Sequence, residues 1–439
     1  MNSSQPIDRF ADLDVPSVLN QEPVPRRDNS GTKDWLRATL LIGLGLTWGG
    51  ITSVSMAFDD QETKIQAGAL LVACVIAFLV FRNAIFLAWL DSGAGLLLAA
   101  HVTSAVVSGL LSDCPLESGL RYAALLPAFS LLLSVARGET NAVEKVRLGL
   151  TIAGSAFVIF HLTELDFGSI ADPMYRITIY LNTNSTAFIT SMTALSAVEL
   201  ALRPAARNGA RIFWFSVVLC CAVVLFGTKS RTALLAMISG SFVFTYIRFS
   251  TRLARTATIG LIVLGASYAF QHREAIIYAM SLDEKDRSIE TGTGRYEIWR
   301  FLSASVISKN PWLGIGPGQH QELVATATGS SSAHNGLIAS LSETGVIGTL
   351  PLLLIIIWCL RMAWQRRVPT GQAWAAPLFV AGIVESLGES ILFSIGNPAS
   401  LLFMLAVAKL ATPLLTAAQN RPEIDDEAVP AEILEGGLH

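Results

Sequence analysis

Three residues have types and settings suited to anion binding and proton transfer: Arg231, Arg295 and His334. Arg231 follows Ser230 and opens an apolar run. A helix starting there offers free N–H groups and a positive dipole end, and the guanidinium adds a charged fork matched to phosphate. The position equally suits an arginine snorkelling to a membrane interface. Arg295 lies in GRYEIWRFLSASVI, residues 294–307, whose spacing predicts a helix ended by Asn310-Pro311. On a helical wheel Ile298, Trp299, Leu302 and Val306 form one apolar stripe; Arg295 falls inside it, Glu297 and Arg300 outside. An arginine on a buried face needs an anionic partner. His334, in SSSAHNGL, opens another apolar run, with Ser331 or Ser332 as the expected N-cap. A helix N-terminus keeps imidazole neutral and able to accept a proton, as a general base must. A capping or packing role also fits that place.

His320, in the glycine-rich PWLGIGPGQH of residues 311–320, is the rival base. His101 and His161 lie in or at the ends of apolar runs and read as structural. Glu385 and Glu389 stand one helical turn apart in an apolar run, and Asp91 lies in another. Carboxylates there are costly and often functional, although hydrogen bonding or ion pairing between helices accounts for them equally well. Asn182-Thr183-Asn184-Ser185 reads as a capped helix start. No HExxH and no Walker A motif is present, and GIGPG follows no strand of a βαβ unit. Of the five cysteines, Cys74, Cys220, Cys221 and Cys359 lie in apolar runs and only Cys114 in a segment read as an outer loop. No disulfide framework and no metal site is expected.

The frame that must hold these residues is a membrane bundle. The chain has 439 residues, 52% hydrophobic and 15% charged, with mean hydropathy +0.52. A soluble chain would carry about a quarter charged residues. The apolar runs predict about twelve transmembrane helices, near 36–58, 65–81, 84–110, 119–136, 146–163, 186–202, 211–228, 231–247, 255–271, 334–360, 373–393 and 398–413. Arg82; Arg137, Lys145 and Arg147; Arg203, Arg207 and Arg211; Arg248, Arg252 and Arg255; and Arg361, Arg366 and Arg367 fall in alternate loops. By the positive-inside rule those loops and both termini are cytoplasmic. Lys229 and Arg231 break the rule in a tight outer turn, and the longest outer loop, 271–333, carries several basic residues. Residues 1–34 read as a disordered cytoplasmic tail without a cleavable signal, 35–413 as a polytopic membrane domain and 414–439 as a second tail.

TKSRTALL at 228–235, GRYEIW at 294–299, NPWLGIGPG at 310–318 and HNGLIASLSETGVIG at 334–348, in this order, resemble the O-antigen ligase and polysaccharide polymerase family of bacterial inner membranes. NTNSTA at 182–187 is similar to a further segment of that family. The resemblance implies a GT-C-type helical fold with one larger periplasmic loop bearing short helices. It implies glycan transfer without metal or other cofactor. The donor would be a glycan on undecaprenyl diphosphate; the acceptor, a hydroxyl of lipid A-core or of another lipid-linked glycan. Arg231 and Arg295 would hold the diphosphate, and His334 would deprotonate the acceptor for an inverting attack. Arg300, His320, Glu385 and Asn184 are supporting candidates; Arg300 precedes Gly316 by a spacing found in some polymerases. Nothing suggests nucleic acid. The rival function is a transporter or flippase of an anionic or lipid-linked solute, which predicts broken helices at mid-membrane and an internal repeat; no repeat is evident. A non-catalytic scaffold would leave Arg295 on its apolar stripe without explanation.

Overall fold

The computed structural model describes residues 31–55, 93–113, 140–169, 183–248, 294–330, 332–365, 373–390 and 398–411, with single positions between 128 and 132 and between 253 and 271. Every regular element among them is helical. In chain order these are α1 (Gly31–Ser55), α2 (Gly93–Leu110), α3 (Thr140–Thr163), α4 (Thr183–Ala201), α5 (Asn208–Thr228) and α6 (Arg231–Arg248). There follow α7 (Arg295–Leu302), α8 (Gln319–Thr328), α9 (Gly336–Gln365), α10 (Ala375–Ser386) and α11 (Pro398–Ala411). Gly93–Leu110, Ala142–Thr163, Asn208–Thr228 and Gly336–Trp364 are long and apolar enough to cross a bilayer. Ala38–Ile51, Ala375–Ser386 and Pro398–Ala411 are shorter apolar helices. The described residues are those of an all-α membrane protein.

Helices meet the spans expected near 36–58, 84–110, 146–163, 186–202, 211–228, 231–247, 334–360, 373–393 and 398–413. Those near 65–81, 119–136 and 255–271, with Asp91 and Cys114, fall wholly or almost wholly outside the described residues. The first helix begins at Gly31, inside the segment read as a tail.

At the centre stands α4. Its sequence is rich in Ser and Thr, yet almost every residue is buried. Two of its hydroxyls fold back on their own helix: Thr190 Oγ1 donates to the Thr186 carbonyl at 2.7 Å and Ser191 Oγ to that of Phe188 at 3.0 Å. Self-satisfied hydroxyls let such a helix sit among others away from water. Around it the core runs through Leu44, Trp48, Val146, Phe188, Phe379 and Phe403, the last two rings stacked 5.9 Å apart.

Two polar clusters cap opposite ends of α4, α6 and α10. At one end Arg147 is wholly buried, donating to Glu144 at 2.9 Å, to Glu199 at 2.5 Å and to Ser196 at 3.2 Å. Arg203 also pairs with Glu144 and Glu199, and Trp374 Nε1 donates to Glu144 at 2.6 Å. Arg248, at the end of α6, donates to the Leu202 carbonyl. Arg147 is therefore no loop residue, as the positive-inside reading had it, but a buried tie between α3 and α4. The other end carries Asn184, Arg231 and Glu389.

The span expected over 334–360 is broken. Gly345 takes φ 60° and ψ −166°, a conformation open in practice only to glycine. In an unbroken helix the carbonyls of Ser342 and Glu343 would accept from the N–H groups of Val346 and Ile347. Here they accept instead from Ile315 at 2.9 Å and Gly316 at 3.0 Å. Val346 and Ile347 donate to the carbonyls of Pro311 at 2.8 Å and Trp312 at 3.1 Å. The 311–316 loop thus replaces the missing turn, and the four freed backbone groups remain paired, as burial demands. A Cβ at Gly345 would overlap the Trp312 carbonyl, and one at Gly314 the Glu343 carbonyl. The glycines of this segment are there for close backbone approach.

Candidate active site

Four helix starts meet at one point. Arg231 is the first residue of α6, Arg295 the first of α7, and Asn184 lies in the first turn of α4. His334 stands two residues before α9, whose N-cap is Asn335: its Oδ1 accepts from Leu337 and Ile338 at 3.0 Å. This corrects the expected serine cap; Ser332 Oγ instead accepts the His334 N–H at 3.1 Å, and Ser331 lies outside the described residues. Chain reversals precede the arginines. Lys229 takes φ 53° ahead of α6, its ammonium 4.6 Å from the Phe226 ring centroid, and Gly294 takes φ 78° ahead of α7.

The centre of the cluster is Glu389. The turn after α10 places it just past the helix end, not one turn up an unbroken span as its spacing from Glu385 suggested. Its Oε1 accepts from Asn184 Nδ2 at 2.5 Å and Arg295 Nη2 at 3.0 Å. His334 Nδ1 lies 3.3 Å from Oε1 and 3.2 Å from Oε2. A carboxylate only accepts, so the imidazole proton belongs on Nδ1 and Nε2 is left as an acceptor. Nε2 faces Ser330 Oγ at 3.3 Å. His334 and Arg295 each keep about a fifth of their side-chain surface exposed, against 7% for Glu389. The cluster is open to a solute from the side of the two basic groups.

Lacing between the segments on either side fixes this geometry. Ser332 Oγ reaches Ser390 Oγ at 3.4 Å, and Asn335 Nδ2 donates to the Leu387 carbonyl at 3.1 Å. Thr232, next to Arg231, packs on Gly388 from one side and Arg295 from the other: a Cβ at Gly388 would lie 2.6 Å from Thr232 Oγ1 and 2.9 Å from Arg295 Nη1. The two guanidinium groups are close enough to repel electrostatically. His334 itself has φ 49°, a left-handed conformation that costs a residue with a Cβ about 1–3 kcal/mol.

The remaining candidates fall differently. Glu385 is wholly buried in α10, within electrostatic reach of Glu389 and Arg295, and among the described residues neither of its oxygens is hydrogen bonded. Arg300 is exposed on the far side of α7 from Ile298 and does not join the cluster. His320 is buried in α8, its Nδ1 3.0 Å from Glu343 Oε1, without the alignment of a hydrogen bond. It joins a different group from His334. The segment also contains a second short helix, α8, beside the one read from residues 294–307. Ser330 was missed; nothing marked it within a serine run. Glu389 was seen as a costly carboxylate suited to an ion pair between helices, and Arg295 as an arginine in need of an anion, but the two were not joined.

Residues 215–353 match the family model described as O-antigen ligase. The match contains Arg231, Arg295 and His334 and ends before Glu389. A comparison with curated proteins finds no significant match. Over 215–353 the chain is similar to the O-antigen ligase family, and the rest of its length lies outside the match.

Proposed function

We propose that the chain transfers a glycan from undecaprenyl diphosphate to a sugar hydroxyl at the outer face of a bacterial inner membrane, acting as a ligase or a polymerase. The observation that carries this reading is the meeting of Arg295, Asn184 and His334 on the Glu389 carboxylate, with the start of the Arg231 helix packed beside Arg295 through Thr232. The arginine-rich end of the bundle faces the cytoplasm under the positive-inside rule, so this cluster faces outward with both termini inside.

In this mechanism Arg231 and Arg295 clamp the diphosphate. They stabilise the charge that develops on it as the glycosidic C–O bond breaks. Asn184 and the helix N-termini add neutral donors and dipoles. The acceptor hydroxyl takes the place of Ser330 Oγ at His334 Nε2 and loses its proton there as its oxygen bonds to the anomeric carbon. Attack opposite the leaving diphosphate inverts that centre. Glu389 holds the Nδ1–H and stabilises the imidazolium that forms.

A transport function is the second reading, and the break at Gly345 is the feature that favours it. Its four freed backbone groups are spent on the 311–316 loop, which leaves none of them to coordinate a solute.

The test is surface-glycan analysis of a strain lacking the chain, complemented with wild type, H334A or R295K. Loss of long chains from lipopolysaccharide while lipid-linked polymer accumulates assigns a ligase. Single repeats accumulating on the carrier assign a polymerase. H334A should abolish transfer with normal membrane insertion, and R295K should impair it although the charge is kept. Full-length glycan reaching its acceptor in H334A would remove the base from the mechanism. Unchanged glycans in the deletion strain, with a solute-uptake defect, would replace transfer by transport.

A further inference from the structure

Below the cluster lies a second buried polar group that the mechanism does not use, centred on Glu343. Its carboxylate accepts the Gly318 N–H at 2.9 Å and approaches His320 Nδ1 at 3.0 Å. Its backbone carbonyl accepts from Gly316 N–H at 3.0 Å and from Ser108 Oγ at 2.7 Å. One residue beside the break in α9 thus touches the end of α2, the glycine loop and the start of α8. Glu343 is 8% exposed and His320 2%.

The start of α8 has no cap of its own. Its N-cap is Gly318, which has no side chain, so the Glu343 carboxylate supplies the acceptor, and the negative charge, that a helix N-terminus favours. From there α8 runs ten residues, about 15 Å, to its C-cap Gly329. The next residues are those around the base. Ser330 Oγ faces His334 Nε2, Ser332 Oγ accepts the His334 N–H, and the Ala333 carbonyl accepts from Trp299 Nε1 at 2.9 Å. Val324 of α8 packs with Ala333 and Ala339 and with Ile298, Leu302 and Val306 of the Arg295 segment. Glu343 is therefore joined to His334 by a short rigid rod as well as through α9.

We infer that Glu343 is a positioning residue: by capping α8 and lying against His320, it sets where His334 is presented to the acceptor. This rests on His334 being the base. The Glu343 contacts described above go to α2, the glycine loop and α8, so its loss acts on geometry. A misplacement on the order of 1 Å costs about 100-fold in rate.

The experiment uses full-length protein in nanodiscs, with lipid-diphosphate glycan extracted from host membranes as donor and inorganic pyrophosphate as probe of the clamp. E343A and E343D, the latter a methylene too short to serve both Gly318 and His320, should lower kcat about 10- to 100-fold. Pyrophosphate affinity and donor KM should stay within about threefold, and amide exchange at 329–334 should rise. E343Q, which keeps an acceptor for Gly318, should recover most of the rate. If E343A fails to fold, E343D carries the test. Wild-type kcat in E343D overturns the proposal, as does an equal loss in E343Q and E343D accompanied by lost pyrophosphate affinity, which would mark a merely structural residue. H334A, run alongside, separates the two ideas. An active H334A sinks the base, whereas an inactive H334A with a fully active E343D sinks only the positioning role.

Discussion

The substitution E389Q tests the shared carboxylate most directly. It preserves shape and burial and removes one charge. The amide oxygen can stand where Oε1 is and keep the bonds from Asn184 and Arg295, at 2.5 and 3.0 Å in the wild type. The amide nitrogen then falls where Oε2 is, 3.2 Å from His334 Nδ1, and presents a donor to it. A donor facing Nδ1 selects the tautomer protonated on Nε2, the nitrogen that must accept the acceptor's proton. General-base assistance is worth about 10²–10⁴ in rate, so kcat should fall at least 100-fold, or about 2.7 kcal/mol in activation free energy. Arg295 loses its counter-charge but stays free to bind an anion, so pyrophosphate affinity should hold or rise. The assay pairs the steady-state transfer rate with pyrophosphate binding on the same nanodisc preparation. A rate within threefold of wild type would refute the tautomer argument. A loss confined to pyrophosphate affinity would show that Glu389 serves the clamp alone.

Two further substitutions test the frame. G345A puts a Cβ into a backbone conformation that costs about 1–3 kcal/mol and against the Trp312 carbonyl. Thermal unfolding in detergent should drop by several degrees with loss of transfer, and an unchanged melting curve would mean that loop and break relax freely. R147M leaves Arg203 as the remaining cation for Glu199 and Glu144 and removes a charged hydrogen-bond donor from each, which should destabilise by about 1.5–3 kcal/mol. R147M with E199Q should recover part of that stability, and equal melting of R147M and wild type would show that the buried cluster does not hold α3 to α4.

What the sequence disclosed was local. The apolar stripe Ile298, Leu302, Val306 is buried, with Trp299 half-buried beside it, and Arg295 sits among them paired to an anion. Periodicity alone carries that much, because a helix fixes which residues share a face. The anion's identity was out of reach: Glu389 lies 94 residues away, and its spacing from Glu385 imitates a continuous helix that stops at Ser386. The break at Gly345 was hidden for a related reason. Glycine is common in membrane helices, and the backbone partners that make the break affordable come from a loop some thirty residues earlier. Arg147 misled in turn: a basic residue at a span end reads as a cytoplasmic anchor, whereas its partner Glu199 is 52 residues distant.

The placement of the chemistry at helix starts follows from electrostatics. Each helix N-terminus acts as roughly half a positive charge. Four of them give roughly two, beside the two guanidinium groups and opposed by the carboxylate of Glu389. A fixed excess of positive potential at a membrane edge attracts and orients a leaving diphosphate without rearranging when charge develops. The carboxylate on the Nδ1 side of His334 leaves Nε2 to accept a proton, as a base requires. His334 takes its left-handed φ ahead of the cap, where Asn335 satisfies the helix and the histidine ring is left to bridge Glu389 and Ser330. Were His334 only a cap, the strain would have no use, because Asn335 already performs that task one residue later.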